Sequence, residues 1–116
     1  ADKDITLHGG GTQVRSWCYI DDMVDAVIRA ASTPSAVGRT FNIGNANTVV
    51  NIRELAELIV DLSGSHSTIL DGPATSADIH VRSPRVDLAR ELLGFEAEVG
   101  LKEGLRRSIE RVRKAG

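Results

Sequence analysis

Four stretches of this chain repeat apolar residues at helical spacing, and between them stand β-prone runs of only three or four residues. That interleaving restricts the chain to a mixed α/β fold. The clearest repeat is Leu55, Leu58, Ile59 and Leu62, preceded by Asn51 and Glu54 at the spacing of a capping box and stopped by Gly64. A second helix is expected over Val24, Val27, Ile28 and Ala31, with Asp21-Asp22 as its cap and as favourable charge at its N-terminus. Leu88 and Leu92 mark a short helix ended by Gly94. Leu101, Leu105, Ile109 and Val112 mark the last one, whose first turn is weakened by Gly104.

The β-prone runs are Ile5-Thr6-Leu7, Trp17-Cys18-Tyr19-Ile20, Thr40-Phe41-Asn42-Ile43 and Thr68-Ile69-Leu70. In the third, Phe41 and Ile43 would face one way and Thr40 and Asn42 the other. Linkers are expected at 33–38, 44–47 and 71–83. The last is long, polar and without period, and in a domain this small such a loop is expected to cover a ligand or a partner. No repeat or low-complexity tract is present.

Gly9-Gly10-Gly11 lacks the Gly-Lys-Ser/Thr of a phosphate loop and leads into a strand-like run where a dinucleotide fingerprint needs a helix. It reads as a tight hairpin. Beyond it, Gln13, Arg15 and Trp17 would share one strand face, with Val14 and Ser16 opposite. Arg15 is either a surface ion-pairing residue or a planar fork for a phosphate or carboxylate. Arg82 stands where the long loop ends, held off the next helix by Pro84. It too is either a solvated basic residue or the partner of Arg15 in gripping one diphosphate.

The chain has 116 residues, 41% hydrophobic and 26% charged, which is the composition of one globular domain. Fourteen basic against sixteen acidic residues argue against a nucleic-acid partner, and no apolar run is long enough for a membrane span. The single cysteine, Cys18, excludes an internal disulfide, reads as an inert buried thiol and fits a reducing compartment, with the cytoplasm as default. His8, His66 and His80 show no metal spacing and are expected at the surface. No Ser/His/Asp set and no tyrosine and lysine four apart appear, so neither a catalytic nor a metal residue is assigned.

In order, "GGGTQVRSWCYIDDMVDAVIRA", "GRTFNIGNANTVVNIRELAELI", "RSPRVDLARELLGF" and "LKEGLRRSIE" resemble the C-terminal portion of the extended short-chain dehydrogenase/reductase family. The similarity is to its NAD-dependent nucleotide-sugar epimerases, dehydratases and decarboxylases. It implies that residues 1–116 form one mixed α/β substrate-binding domain, a fragment of a longer enzyme that lacks the N-terminal Rossmann half. NAD would belong to that half, and this chain alone would be inactive and bind no cofactor. The ligand implied is a nucleotide-diphosphate sugar, most simply a UDP-sugar, as in a UDP-glucose 4-epimerase or UDP-glucuronate decarboxylase. Carried over by position, Arg15 resembles the first diphosphate arginine and Arg82 the second. Val50 lies where the base would pack, and Gln13 matches the block without an assured role.

One departure is Arg85, where relatives often place an aspartate after Arg-x-Pro; a basic residue there would favour another acceptor or an acidic sugar. Helix 22–31 and the run 40–43 are expected to pack on the cofactor domain, so isolation should expose apolar surface. A homo-oligomer is left open. Two other readings stay open as well: a non-catalytic nucleotide-binding or interaction module on the same scaffold, and a related enzyme acting on a non-nucleotide carbonyl compound such as a sterol or flavonoid.

Overall fold

The computed structural model describes residues 2–75 and 79–116. Ser76, Ala77 and Asp78, within the long loop expected to cover a ligand or partner, lie outside the described residues. The described residues form strands β1 (Ile5–His8), β2 (Val14–Ser16), β3 (Val49–Asn51), β4 (Ile69–Gly72) and β5 (Val81–Arg82). Helices α1 (Ile20–Ser32), α2 (Ile52–Ser63), α3 (Asp87–Leu93) and α4 (Leu101–Ala115) complete the mixed α/β fold.

The chain divides into two compact units. The first holds the residues up to Arg15, Val50–Arg82 and Lys102–Gly116; the second holds Ser16–Val49 and Ser83–Leu101.

In the first unit β1 and β4 pair in parallel, with Ile5 beside Ile69 and His8 beside Gly72. Strand β2 is the middle of the order β3-β2-β5 and runs parallel to β5. The glycine turn is therefore no hairpin: it passes the chain from the β1-β4 sheet to a different one. Gly9, Gly10 and Gly11 all take positive φ, where a side chain would be strained. Helix α2 carries the expected capping box, Asn51 Oδ1 accepting from Glu54 N at 2.8 Å and Asn51 N donating to the Glu54 carboxylate at 3.3 Å. It ends at Gly64 with φ 65°. Leu7, Leu55 and Ala56 are buried in this unit.

The second unit has its core at Ala26, Ala36, Ala89, Leu93 and Phe95, with Phe41 and Ile43 packed against it. Ala26 and Ala89 are almost fully buried, and the lack of bulk at both lets α1 and α3 approach closely. Segment 40–43 keeps its alternation, Phe41 and Ile43 half-buried between exposed Thr40 and Asn42, but finds no partner strand among the described residues and is irregular.

The other expected strand, 17–20, is also overturned. β2 stops at Ser16, and Ile20 already begins α1. Trp17 is instead fixed through its backbone, its N–H donating to Thr48 Oγ1 at 3.1 Å and its carbonyl accepting from the same hydroxyl.

The capping role expected of Asp21-Asp22 is corrected too. Tyr19 is the N-cap, and no side-chain hydrogen bond caps the helix there. Asp22 is buried, and its carboxylate accepts the backbone N–H groups of Glu98 at 3.1 Å and Val99 at 3.0 Å. α4 begins at Leu101 with Gly104 buried in its first turns, so the glycine does not shorten the helix.

Candidate functional site

Strand β2 lies between β3 and β5, and this order collects the residues singled out from sequence. The register of β2 on β5 sets Val14 beside Val81 and Arg15 beside Arg82. Register partners on parallel strands project from the same face, with strand axes about 4.8 Å apart. Two permanently charged guanidinium groups thus leave one sheet face side by side.

Neither arginine forms an ion pair with any carboxylate among the described residues. Arg15 is half-buried and donates from Nη1 to the carbonyl of Val14 at 2.8 Å; Arg82 is exposed. Adjacent like charges disfavour the fold, and an anion bridging them removes that cost. Arg82 stands within β5, and α3 begins only at Asp87.

Gln13 precedes β2 and is buried, its Nε2 donating to the His8 carbonyl at 3.0 Å and its own carbonyl accepting from Ile52 N at 3.0 Å. Val50, half-buried, sits in β3, the neighbour of β2 on the side away from β5. A hollow of about 240 Å³ opens beside Arg15 and Gln13. Thr6, His8 and Thr75 add polar groups to its lining, and Leu7 and Ile52 add apolar ones. The sequence does not single out Thr6, His8 and Thr75 as lining residues, although the apolar-polar alternation of Ile5-Thr6-Leu7-His8 places the first two on one strand face.

Other candidates fall elsewhere. Arg85 is exposed in the second unit and ion-paired with Asp87 at 3.1 Å. Burial, and then the nearby Asp22 carboxylate, push the Cys18 thiol above its ordinary pKa, which disfavours the reactive thiolate. Among the described residues no group of three His, Cys, Asp or Glu could hold a metal ion, and no helix is long and apolar enough to cross a membrane.

The second unit presents a separate surface. Ile20, Val24, Val27 and Ile28, spaced to share one stripe of α1, are 48% to 61% exposed. The buried residues Asp22 and Ala26 lie on the opposite side of the helix. This helix therefore turns its strongest apolar face away from its own core.

Residues 1–44 match the NAD dependent epimerase/dehydratase family. UDP-glucuronic acid decarboxylase 1 of Arabidopsis thaliana is 35% identical over 105 residues, covering 90% of this chain and 23% of that protein. Among solved structures, UDP-glucose 4-epimerase of Thermotoga maritima with UDP-glucose superposes with a TM-score of 0.88 at 28% identity, over 97% of this chain and 35% of the other. UDP-glucuronic acid 4-epimerase of Bacillus cereus, in complex with UDP-glucuronic acid and NAD, superposes with a TM-score of 0.90 at 25% identity, over 99% and 37%. The chain thus spans about a quarter to a third of the length of these relatives.

Proposed function

Because the chain belongs to the NAD dependent epimerase/dehydratase family, we propose that residues 1–116 form the substrate-binding C-terminal domain of a longer enzyme acting on a UDP-sugar. The observation that carries this reading is the side-by-side register of Arg15 and Arg82. Each guanidinium offers a planar fork, and two forks a strand spacing apart suit the successive phosphates of a diphosphate. Each charge-assisted bond contributes about 1.5–3 kcal/mol. Gln13, fixed at both its side chain and its carbonyl, holds the entry into β2, and Val50 packs beside the base. Relatives named for UDP-glucuronic acid and UDP-glucose support a uridine nucleotide.

The glycine turn opens into β2 and not into a helix N-terminus, so it does not fit the phosphates of a dinucleotide. NAD would be held by residues outside this chain, and no chemical step is assigned to the residues here. Their work is to bind the nucleotide and orient the sugar. The apolar stripe of α1 is the surface on which the cofactor domain docks, consistent with relatives of three to four times this length. The reducing cytoplasm suits the lone Cys18.

The test is titration calorimetry of UDP with the complete enzyme. Arg15→Ala and Arg82→Ala should each weaken UDP by about 1.5–3 kcal/mol while NAD affinity stays unchanged. Unaltered UDP affinity in both variants would remove the assignment.

A further inference from the structure

We propose that Arg53 is a positioning residue of this anion site, acting through the glycine turn; the proposal rests on the diphosphate reading above. Three successive glycines at φ 61°, 71° and 71° have more conformations to lose than any other tripeptide, so whatever fixes the turn must lie outside it. Arg53, in the first turn of α2, supplies part of that restraint, beside the Gly9 N–H that donates to the Pro73 carbonyl at 3.3 Å. Arg53 Nε donates to the Gly10 carbonyl at 3.1 Å, and its Nη2 pairs with the Asp71 carboxylate in β4. Backbone contact reinforces the grip, since a Cβ on Gly11 would stand 2.9 Å from Arg53 N and 2.9 Å from Leu7 Cδ1.

The same helix end holds the chain on the far side of Thr12, where Ile52 N donates to the Gln13 carbonyl at 3.0 Å. Arg15 follows two residues later. The Arg53 guanidinium is thus committed to Gly10 and Asp71 and is not presented to a ligand. What it provides is the direction in which the chain enters β2, and with it the place of the Arg15 fork beside Arg82. A site built on a free triglycine turn would have to order that turn at each binding event, which weakens affinity.

In the complete enzyme, Arg53→Met should weaken UDP about tenfold, as a loss of preorganisation does. The KM for the sugar nucleotide should rise by a similar factor with kcat nearly constant. Arg53→Lys, which can reach one of the two acceptors, should recover part of that loss. Asp71→Asn, which keeps the Gly10 bond, should lose about threefold and serves as the second variant if Arg53→Met does not fold. Hydrogen exchange at residues 9–15 should quicken in step with the affinity loss. UDP affinity and KM left at the unaltered enzyme's values, with only the melting temperature lowered, would overturn the positioning role alone. Failure of the unaltered enzyme to bind UDP would remove the diphosphate reading and this proposal with it.

Discussion

Replacement of Asp22 tests whether its carboxylate ties the segment around Val99 to α1 or merely favours the helix N-terminus. It is 7% exposed and accepts two backbone N–H groups, from Glu98 at 3.1 Å and Val99 at 3.0 Å. Each bond to a charged acceptor contributes about 1.5–3 kcal/mol, and because both share one side chain the losses do not simply add, so Asp22→Ala should cost about 3–4 kcal/mol. Asp22→Asn keeps one accepting oxygen and turns an amide donor toward the other N–H, for a loss of about 2 kcal/mol. A carboxylate that served only the helix dipole would contribute about 0.3–1 kcal/mol. Urea unfolding followed by far-ultraviolet circular dichroism reads the difference. With a slope near 1.3 kcal/mol per molar, Asp22→Ala should lower the midpoint by roughly 2–3 M. A loss below about 1 kcal/mol would refute the tether.

Phe95 is the largest fully buried side chain, and Phe95→Ala should cost about 3–5 kcal/mol by urea unfolding; a cost under about 2 would mean that the second unit's core lies elsewhere. The Cys18 thiol, its pKa raised by burial and by Asp22, should be alkylated by iodoacetamide at pH 8 more slowly than free cysteine and gain rate as the pH climbs; alkylation at the rate of free cysteine would contradict the assignment. The chain expressed by itself should self-associate through the α1 stripe, and Val24→Lys with Ile28→Lys should shift sedimentation toward monomer. A strictly monomeric unaltered chain would count against the docking face.

The helices were legible because their signals are local. Asn51, Glu54 and Gly64 each act within a turn of the residue they satisfy, and α2 begins and ends where they say. Gly94 likewise stops α3 at a left-handed φ of 60°. Strands were less legible because their partners are distant in sequence. β5 is two residues long and exists through Val14 and Arg15, far back along the chain. Segment 40–43 shows the converse, with correct alternation and no strand to pair with among the described residues. Asp22 misled for a related reason, since an acid at a helix start has a sufficient local explanation, and the two N–H groups it serves lie far away in sequence. Arg53 gave no sequence signal at all: its partners, Gly10 and Asp71, meet it only through the fold.

The central claim, that Arg15 and Arg82 grip one diphosphate together, is tested most directly by a double-mutant cycle on the complete enzyme with two ligands, UDP and uridine. The account predicts that both alanine variants lose UDP affinity and that their losses are coupled by at least about 0.5 kcal/mol. Uridine, which has no phosphate, should bind all four proteins equally. Losses that add independently for UDP, or that are as large for uridine, would contradict it.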